Sequence, residues 1–341
     1  MKKFGFLSVL LAVSILFTAA VSADFSDMPA DEKAKTAIDN AVSNKILFGY
    51  EDGTVRPDAN ITRAEMASII ARALGATAVG DISDFEDVSP DKWYYTELSK
   101  AFYMGAMRGD GNRHMFPDNN ITFQETFTIL SQVFDLLPPY SRSASAPDPL
   151  PANTVYTPAN NRLYDISAFN SRTDTYGTAE WAKIYVAGVI ANGGCDGITI
   201  APTEYITRAQ FAVVLDNLVQ NYIDESGTYD KLPEGNTVIR CDGVVLNEAS
   251  TDSDIFIADC VGQGKIEINN VTANRLVVRG CATPLGNDKT PANDDFGIEI
   301  SGEFKEIRII RPYIMADITY ATYKKLYTAE KTSVHLGMFS D

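Results

Sequence analysis

From Phe25 to about Val219 the apolar positions recur at helical spacing in short blocks, and beyond Asp224 they fall in short alternating runs of strand-forming residues. In the first block Ala34, Ala37, Ile38, Ala41 and Val42 make one stripe of a helix that the run Lys45 to Tyr50 ends at Gly49. Asp52-Gly53 is a tight-turn pair and Pro57 bars helix continuation, so Glu51 to Asn60 is loop. A second helix follows, with Met66, Ile69, Ile70 and Leu74 inward and Gly75 stopping it. The same grammar returns at Phe85-Glu86-Asp87-Val88, Trp93-Tyr94-Tyr95 and Gly109-Asp110-Gly111, ending in a helix whose inner face is Phe127, Leu130, Val133 and Phe134. A third copy runs through Leu163-Tyr164-Asp165-Ile166, Trp181-Ala182, Ile184 to Ile190, Asp196-Gly197 and Pro202 to Phe211, Val214 and Leu215. Each copy is a helix–loop–helix that cannot bury its apolar face alone, so the three are expected to pack around a shared axis.

The second helix of each copy opens on a related pentapeptide: Ile61-Thr62-Arg63-Ala64-Glu65, Ile121-Thr122-Phe123-Gln124-Glu125 and Ile206-Thr207-Arg208-Ala209-Gln210. Thr followed three residues later by Glu or Gln is the capping box, in which each side chain satisfies a backbone N–H of the other. Arg63 and Arg208 stand at the first helical position, where a cation is mildly unfavourable beside the positive end of the helix dipole. An anion there would be held by the unpaired N–H groups and the guanidinium together. Recurrence in two of three copies favours a ligand role for both over two solvated arginines.

Between the second and third copies, residues 138–160 are rich in Pro, Ser and Ala without apolar period, and read as an extended linker. In the C-terminal half, Thr237 to Cys241, Ile255 to Cys260, Lys265 to Ile268 and Arg275 to Cys281 are β-rich runs separated by Gly, Asn and Asp, continued by Ile298 to Ile300 and Glu306 to Ile310. Cys241, Cys260 and Cys281 close successive runs at a spacing that suits one coil of a β-solenoid, so a stacked thiol ladder is expected rather than a disulfide framework. A β-sandwich is the alternative. The tail at 313–341 holds a Tyr- and Lys-rich segment, Tyr320 to Lys331, that reads as a capping helix.

Charge and composition narrow the function. Met1-Lys2-Lys3, an apolar run and Val21-Ser22-Ala23 read as a signal peptide over residues 1–23, implying a secreted, soluble mature chain without a membrane span. Two of the 29 Lys and Arg lie in that segment, leaving 27 against 45 acidic residues, a balance of −18. Nucleic acid is therefore a poor partner. His114 and His335 are too few for a histidine metal site, no nucleotide or hydrolase motif occurs, and no metal or cofactor is expected.

The ordered motifs Phe-x-Asp-Val, Trp-Ala, Gly-Tyr-x-Asp-Gly-Thr-x-x-Pro and Ile-Thr-Arg-Ala-Glu resemble the S-layer homology (SLH) domain of bacterial surface proteins over residues 25 to about 222. Ile266 to Gly280 resembles the short β-solenoid segments joined to such modules. The resemblance implies a multidomain α + β protein. It has repeats at 24–80, 81–137 and 161–224 in a pseudo-trimeric helical bundle, followed by a β domain at 225–312. It implies non-covalent anchoring at the cell wall, where secondary cell-wall polysaccharide carrying pyruvate ketals would lie in grooves between repeats. Arg63 and Arg208 would meet its carboxylates. Asp27, Asp52, Gly53, Asp87, Asp165, Asp196 and Gly197 are the further groove candidates, although an Asp so placed is more often a cap or turn residue.

Two departures from the family pattern stand out: Phe123-Gln124 replaces Arg-Ala, and Lys33 replaces the Trp kept as Trp93 and Trp181, which are expected in the core. The resulting expectation is a non-catalytic surface protein displaying its β half for contact with itself or other S-layer proteins. The alternatives are a surface-anchored polysaccharide-active enzyme using Asp294, Asp295 and Glu299, and a binder of a cationic peptidoglycan modification.

Overall fold

The computed structural model describes residues 25–138, 140–259, 265–280, 297–312, 314–329 and 332–336; the expected signal peptide, Cys260, Cys281, Asp294 and Asp295 lie outside them. Seven α-helices occur among these residues: α1 Glu32–Ser43, α2 Arg63–Ala73, α3 Tyr95–Tyr103, α4 Phe123–Val133, the short α5 Ser167–Asn170, α6 Lys183–Ala191 and α7 Arg208–Leu218. Helices α2, α4 and α7 each begin with the complete capping box. Helix α1 stops before the expected Gly49: Lys45 takes φ 57°, and the N–H groups of Ile46 and Leu47 close back on the Ala41 carbonyl at 2.8 and 3.1 Å. The apolar pair Ile46-Leu47 is thereby turned into the core without continuing the helix.

The three units are closed into a ring by backbone hydrogen bonds. The N–H of Ile61 donates to Ile206 O at 3.1 Å, that of Ile206 to Ile121 O at 3.1 Å, and that of Ile121 to Ile61 O at 2.9 Å. All three isoleucines are fully buried on the axis. Around it α2 packs on α3, α4 on α6 and α7 on α1, so each central helix leans on the outer helix of the next unit. The shared axis read from the repeats is present.

The expected linker is not extended. Strands β1 Tyr140–Arg142, β2 Thr154–Thr157 and β3 Arg162–Asp165 form an antiparallel sheet in the order β1-β3-β2. Prolines interrupt the backbone between β1 and β2, while Tyr164 is fully buried and the Tyr140 ring lies tilted against it at 5.4 Å.

After α7 the chain winds into a parallel β-solenoid: β4 Asn221–Ile223, β5 Gly227–Tyr229, β6 Thr237–Ile239, β7 Val244–Asn247, β8 Ile255–Ile257, β9 Ile266–Val278, β10 Ile298–Ile309, β11 Met315–Thr328 and β12 Ser333–His335. Thr237, Ile255, Leu276, Ile307 and Leu326 stack in register, which marks successive coils. Every pairing here is parallel, which removes the sandwich alternative. Segments read as separate short strands are continuous because β9 and β10 bend at corners. At one of these Gly302 (φ 122°) lies so close to Val271 that a Cβ would sit 2.0 Å from its carbonyl oxygen. The capping helix expected at Tyr320 to Lys331 is instead largely β11. Its Thr- and Tyr-rich sequence suits a pleated surface, and β10 offers an unpaired edge in register, so the solenoid extends past residue 312.

One side of the solenoid docks on the bundle. Val238, Phe256 and Val277 point outward from consecutive coils into the helical core, Phe256 meeting Phe134 edge-on at 5.5 Å. Flanking this seam is a row of arginines aimed at the carboxyl ends of the helices. Arg240 donates to Asn44 O (2.7 Å) and Arg72 O (3.1 Å), Arg279 to Met104 O (3.2 Å) and Gln132 O (3.4 Å), and Arg311 to Met104 O (2.9 Å). Arg275 reaches Asn192 Oδ1 at 2.9 Å. Helix C-termini carry about half a negative charge each, so a cation is favourable there. Acids hold the arginines in place: Asp224 on Arg240, Asp254 on Arg275, Asp259 on both Arg279 (2.7 Å) and Arg311 (3.5 Å).

Asp259 is nearly buried between two guanidiniums, and truncating one partner of a buried pair leaves an uncompensated charge. Asp259→Ala is expected to cost about 3–5 kcal/mol, read as a lower urea midpoint. A shift under about 1 kcal/mol would mean that the helix carbonyls alone suffice for both arginines.

Candidate functional site

The loops joining the paired helices are shaped by carboxylates used on the backbone. Asp27 accepts from the N–H groups of Val55 and Arg56 at 2.7 and 2.8 Å, and Asp87 accepts in the same way from Met115 and Phe116 at 2.9 and 2.7 Å. In the third unit that role falls to Asp174, which accepts from Ile200 N–H at 2.8 Å and holds Arg172 bidentately. Asp165 only turns the chain by accepting from Ser167 N–H. A usable signal was spacing to the loop proline: Asp27 and Asp87 precede Pro57 and Pro117 by thirty residues, and Asp174, not Asp165, comes near that distance from Pro202. Asp52 caps its own turn through Thr54 and Arg56, and Gly53 and Gly197 supply the φ of +76° and +75° that those turns need. Asp196 offers its carbonyl to Lys33 Nζ at 2.7 Å.

The motif residues reach across unit boundaries. Arg208 donates through Nε to Val55 O (2.8 Å) and through Nη2 to Phe48 O (2.6 Å), with Tyr50 under its guanidinium at 5.1 Å. Nη1 has no protein acceptor among the described residues. Arg63 makes the equivalent bonds to Met115 O (2.8 Å) and Arg108 O (3.2 Å), and its third nitrogen faces Glu125 at 3.7 Å. Burial lowers the pKa of Arg63, partly offset by Glu125 and Asp87. In the second unit Phe123 fills the position with a fully buried ring, and Gln124 accepts from Ala179 N–H at 2.9 Å. The three junctions therefore share one backbone frame and differ in charge.

At the junction of all three units the frame opens into a groove of about 140 Å³. Glu65, Ser68, Ile69 and Arg72 of α2, at one-face helical spacing, form one wall, and the loop Leu47 to Tyr50 forms the other. Arg208 from the third unit and Trp93 from the second complete it. Both tryptophans were expected in the core; instead Trp93 is 65% exposed and Trp181 53%. They sit just before helices that bury other faces, Tyr94 and Leu98 in one case and Ala182 and Val186 in the other. Phe48, beside Trp93, is also exposed, and Arg72 lies over its ring at 4.5 Å while donating to Ile46 O at 3.2 Å. Burial and the nearby charge of Arg208 both lower the pKa of Arg72, with Glu97 opposing them. Glu65 is committed to Thr62 N–H (2.8 Å) and Tyr50 O–H (3.3 Å). Two guanidiniums against one occupied carboxylate make this groove locally positive in a chain of net charge −16.

Of the acids in the enzymatic alternative, Glu299 pairs with Lys265 at 2.6 Å. No cluster of acids, His or Cys fit for a metal occurs among the described residues, and no helix there is long and apolar enough to cross a membrane.

The family model of the S-layer homology domain matches residues 24–67 and 84–127, which are SLH domains; the third unit lies outside these matches and is tied to them by the ring of backbone hydrogen bonds. The chain is similar to a surface-layer 125 kDa protein of Lysinibacillus sphaericus, 28% identical over 65% of this chain and 17% of that protein. It is similar to exoglucanase XynX of Acetivibrio thermocellus, 27% identical over 63% of this chain and 18% of that protein. A shorter match, 48% identical over 16% of this chain and 5% of the relative, is to outer membrane protein SlpA of Deinococcus radiodurans. The chain thus spans less than a fifth of the length of these relatives.

Two predictions follow from the loops and the altered copy. Phe123→Ala is expected to cost about 3–5 kcal/mol in a denaturant titration, as for any fully buried Phe, and a cost under 1 kcal/mol would contradict its packing role. Arg172 and the backbone hold the Asp174 carboxyl down to about 2, from an ordinary 3.8. Its stabilising contribution is therefore present above about pH 4 and lost as pH falls toward 2. Asp174→Asn should flatten the acid limb of the melting temperature between those values; an unchanged limb would assign it to other groups.

Proposed function

We propose, from the SLH domains at residues 24–67 and 84–127, that the helical half holds this secreted cell-surface protein to the cell wall. It does so by binding anionic, pyruvylated secondary cell-wall polysaccharide in the Trp93–Arg72–Arg208 groove. The observation that carries this reading is the pairing of an exposed tryptophan with two guanidiniums in one concave site. Trp93 supplies a flat apolar platform for a sugar face, while Arg72 and the spare Nη1 of Arg208 offer charge-assisted bonds to a carboxylate. A cationic wall modification would meet the wrong sign of charge.

Arg63 and Arg208 keep a place in this reading, but not an equal one. Arg63 already faces Glu125, whereas the carboxylate that lines the groove with Arg208, Glu65, is committed to its own helix cap and Tyr50. The remaining groove candidates, Asp27, Asp52, Gly53, Asp87, Asp165, Asp196 and Gly197, act by shaping loops and turns.

The chain acts as a non-catalytic anchor. The row of arginines on the helix ends fixes the solenoid at the pole opposite the ring, so a wall-bound bundle displays the solenoid away from the capped ends of α2, α4 and α7. Contacts with further copies or with other surface proteins are assigned to that displayed half.

Truncating an aromatic anchor in a desolvated site costs roughly 2 kcal/mol or more, and losing a charge-assisted bond about 1.5–3 kcal/mol. Trp93→Ala and Arg72→Gln should each weaken binding of purified pyruvylated wall polysaccharide about tenfold or more in calorimetric titrations. Trp181→Ala should leave it unchanged, and raising salt should weaken wild-type binding. Wild-type affinity in Trp93→Ala would remove the groove from the account.

A further inference from the structure

We infer that Arg240, a residue of the solenoid, is a positioning residue of the polysaccharide groove, so that the β half is part of the wall-binding unit rather than cargo carried by it. The inference rests on the groove reading proposed above.

Arg240 follows β6 directly, and its side chain is 6% exposed. Its guanidinium is fixed from the solenoid side by Asp224 and by the Tyr222 ring at 4.7 Å. On the bundle side it donates to two carbonyls. One belongs to Asn44, the residue that ends α1, and the other to Arg72, in the last turn of α2. These are the two ends from which the groove is built. Asn44 leads through the left-handed Lys45 into the lining loop that starts at Leu47, and Arg72 is itself a lining residue. A single cation thereby meets both helix ends beside the Arg72 side chain that lines the groove.

The charges of the helix ends make the dependence specific. Helix α1 has no basic residue in its last turn, and the basic residue in the last turn of α2 is Arg72. With Arg240 present, both C-terminal partial charges are met from outside, and the Arg72 guanidinium stays at Ile46 O, over Phe48 and facing the groove. Without Arg240 those carbonyls lose the guanidinium that meets them, and the field of two helix ends draws the Arg72 side chain, already bonded to Ile46 O just past the end of α1, away from the ligand. Arg311 serves as the internal comparison. It makes the same kind of contact, to Met104 O at 2.9 Å, at the end of α3 and away from both groove walls.

The test uses the full chain and purified pyruvylated wall polysaccharide, with affinity measured by calorimetry and melting followed in parallel. Arg240→Met is expected to weaken binding about fivefold, and Arg311→Met to lower the melting temperature while leaving affinity unchanged. Because Arg240 acts through Arg72, its loss in an Arg72→Gln background should cost under about twofold, a non-additivity that a general loss of stability would not produce. Arg240→Lys should recover part of the affinity by restoring the charge. Wild-type affinity in Arg240→Met, or equal losses in Arg240→Met and Arg311→Met, overturns the inference while Trp93→Ala still reports the groove. Unchanged affinity in Trp93→Ala overturns the groove reading and this inference with it.

Discussion

Three backbone hydrogen bonds, from Ile61 to Ile206, from Ile206 to Ile121 and from Ile121 to Ile61, force the helical half into a closed triangle. Each bond ties the start of one central helix to the start of the next, so α2, α4 and α7 leave the ring in the same direction. Parallel helices have aligned dipoles: their amino ends gather around the ring and their carboxyl ends gather at the opposite pole. That pole would be left with unpaired carbonyls and accumulated negative charge. The solenoid's arginines answer this need, and the aromatic seam of Phe134 and Phe256 excludes water from it. The two halves are consequently parts of one electrostatic arrangement rather than beads on a string.

The ring makes the three junctions geometrically equivalent without making them chemically so. Each motif residue at the first helical position enters the loop of the neighbouring unit, as Arg208 into Phe48–Val55 and Arg63 into Arg108–Met115. What differs is what is left over. At the loop of the first unit a guanidinium nitrogen, a second arginine and an exposed tryptophan remain available. At the second, Glu125 faces the arginine, and at the third a buried Phe123 ring stands in place of the motif arginine. Under the proposed reading, any difference in binding among the junctions rests on the few side chains that the common backbone frame does not consume.

Local signals carried much of this into the sequence. The capping boxes at Thr62, Thr122 and Thr207 and the coil spacing after Asp224 depend on neighbours within a few residues or one coil, and both were legible. Signals that depend on distant partners were not. Trp93 looks like a core residue until the fold shows that Tyr94 and Leu98 take the buried face. The stretch after Leu137 lacks period because it forms short edge-like strands completed by β3, and the Tyr-rich tail is a strand only because β10 waits beside it. Arg240 lies 168 and 196 residues from the carbonyls it clamps, and nothing local marks it.

The central claim, that one of three equivalent junctions holds the wall polymer, is tested most directly by mapping where the polymer lies. A pyruvylated polysaccharide fragment bearing a photoreactive group would be crosslinked to the full chain and the adducts located by peptide mass mapping. The account predicts adducts concentrated on Leu47 to Tyr50, on α2 near Arg72 and on Trp93. Adducts spread equally over the three junctions, or gathered around Trp181 or Lys33, would contradict it.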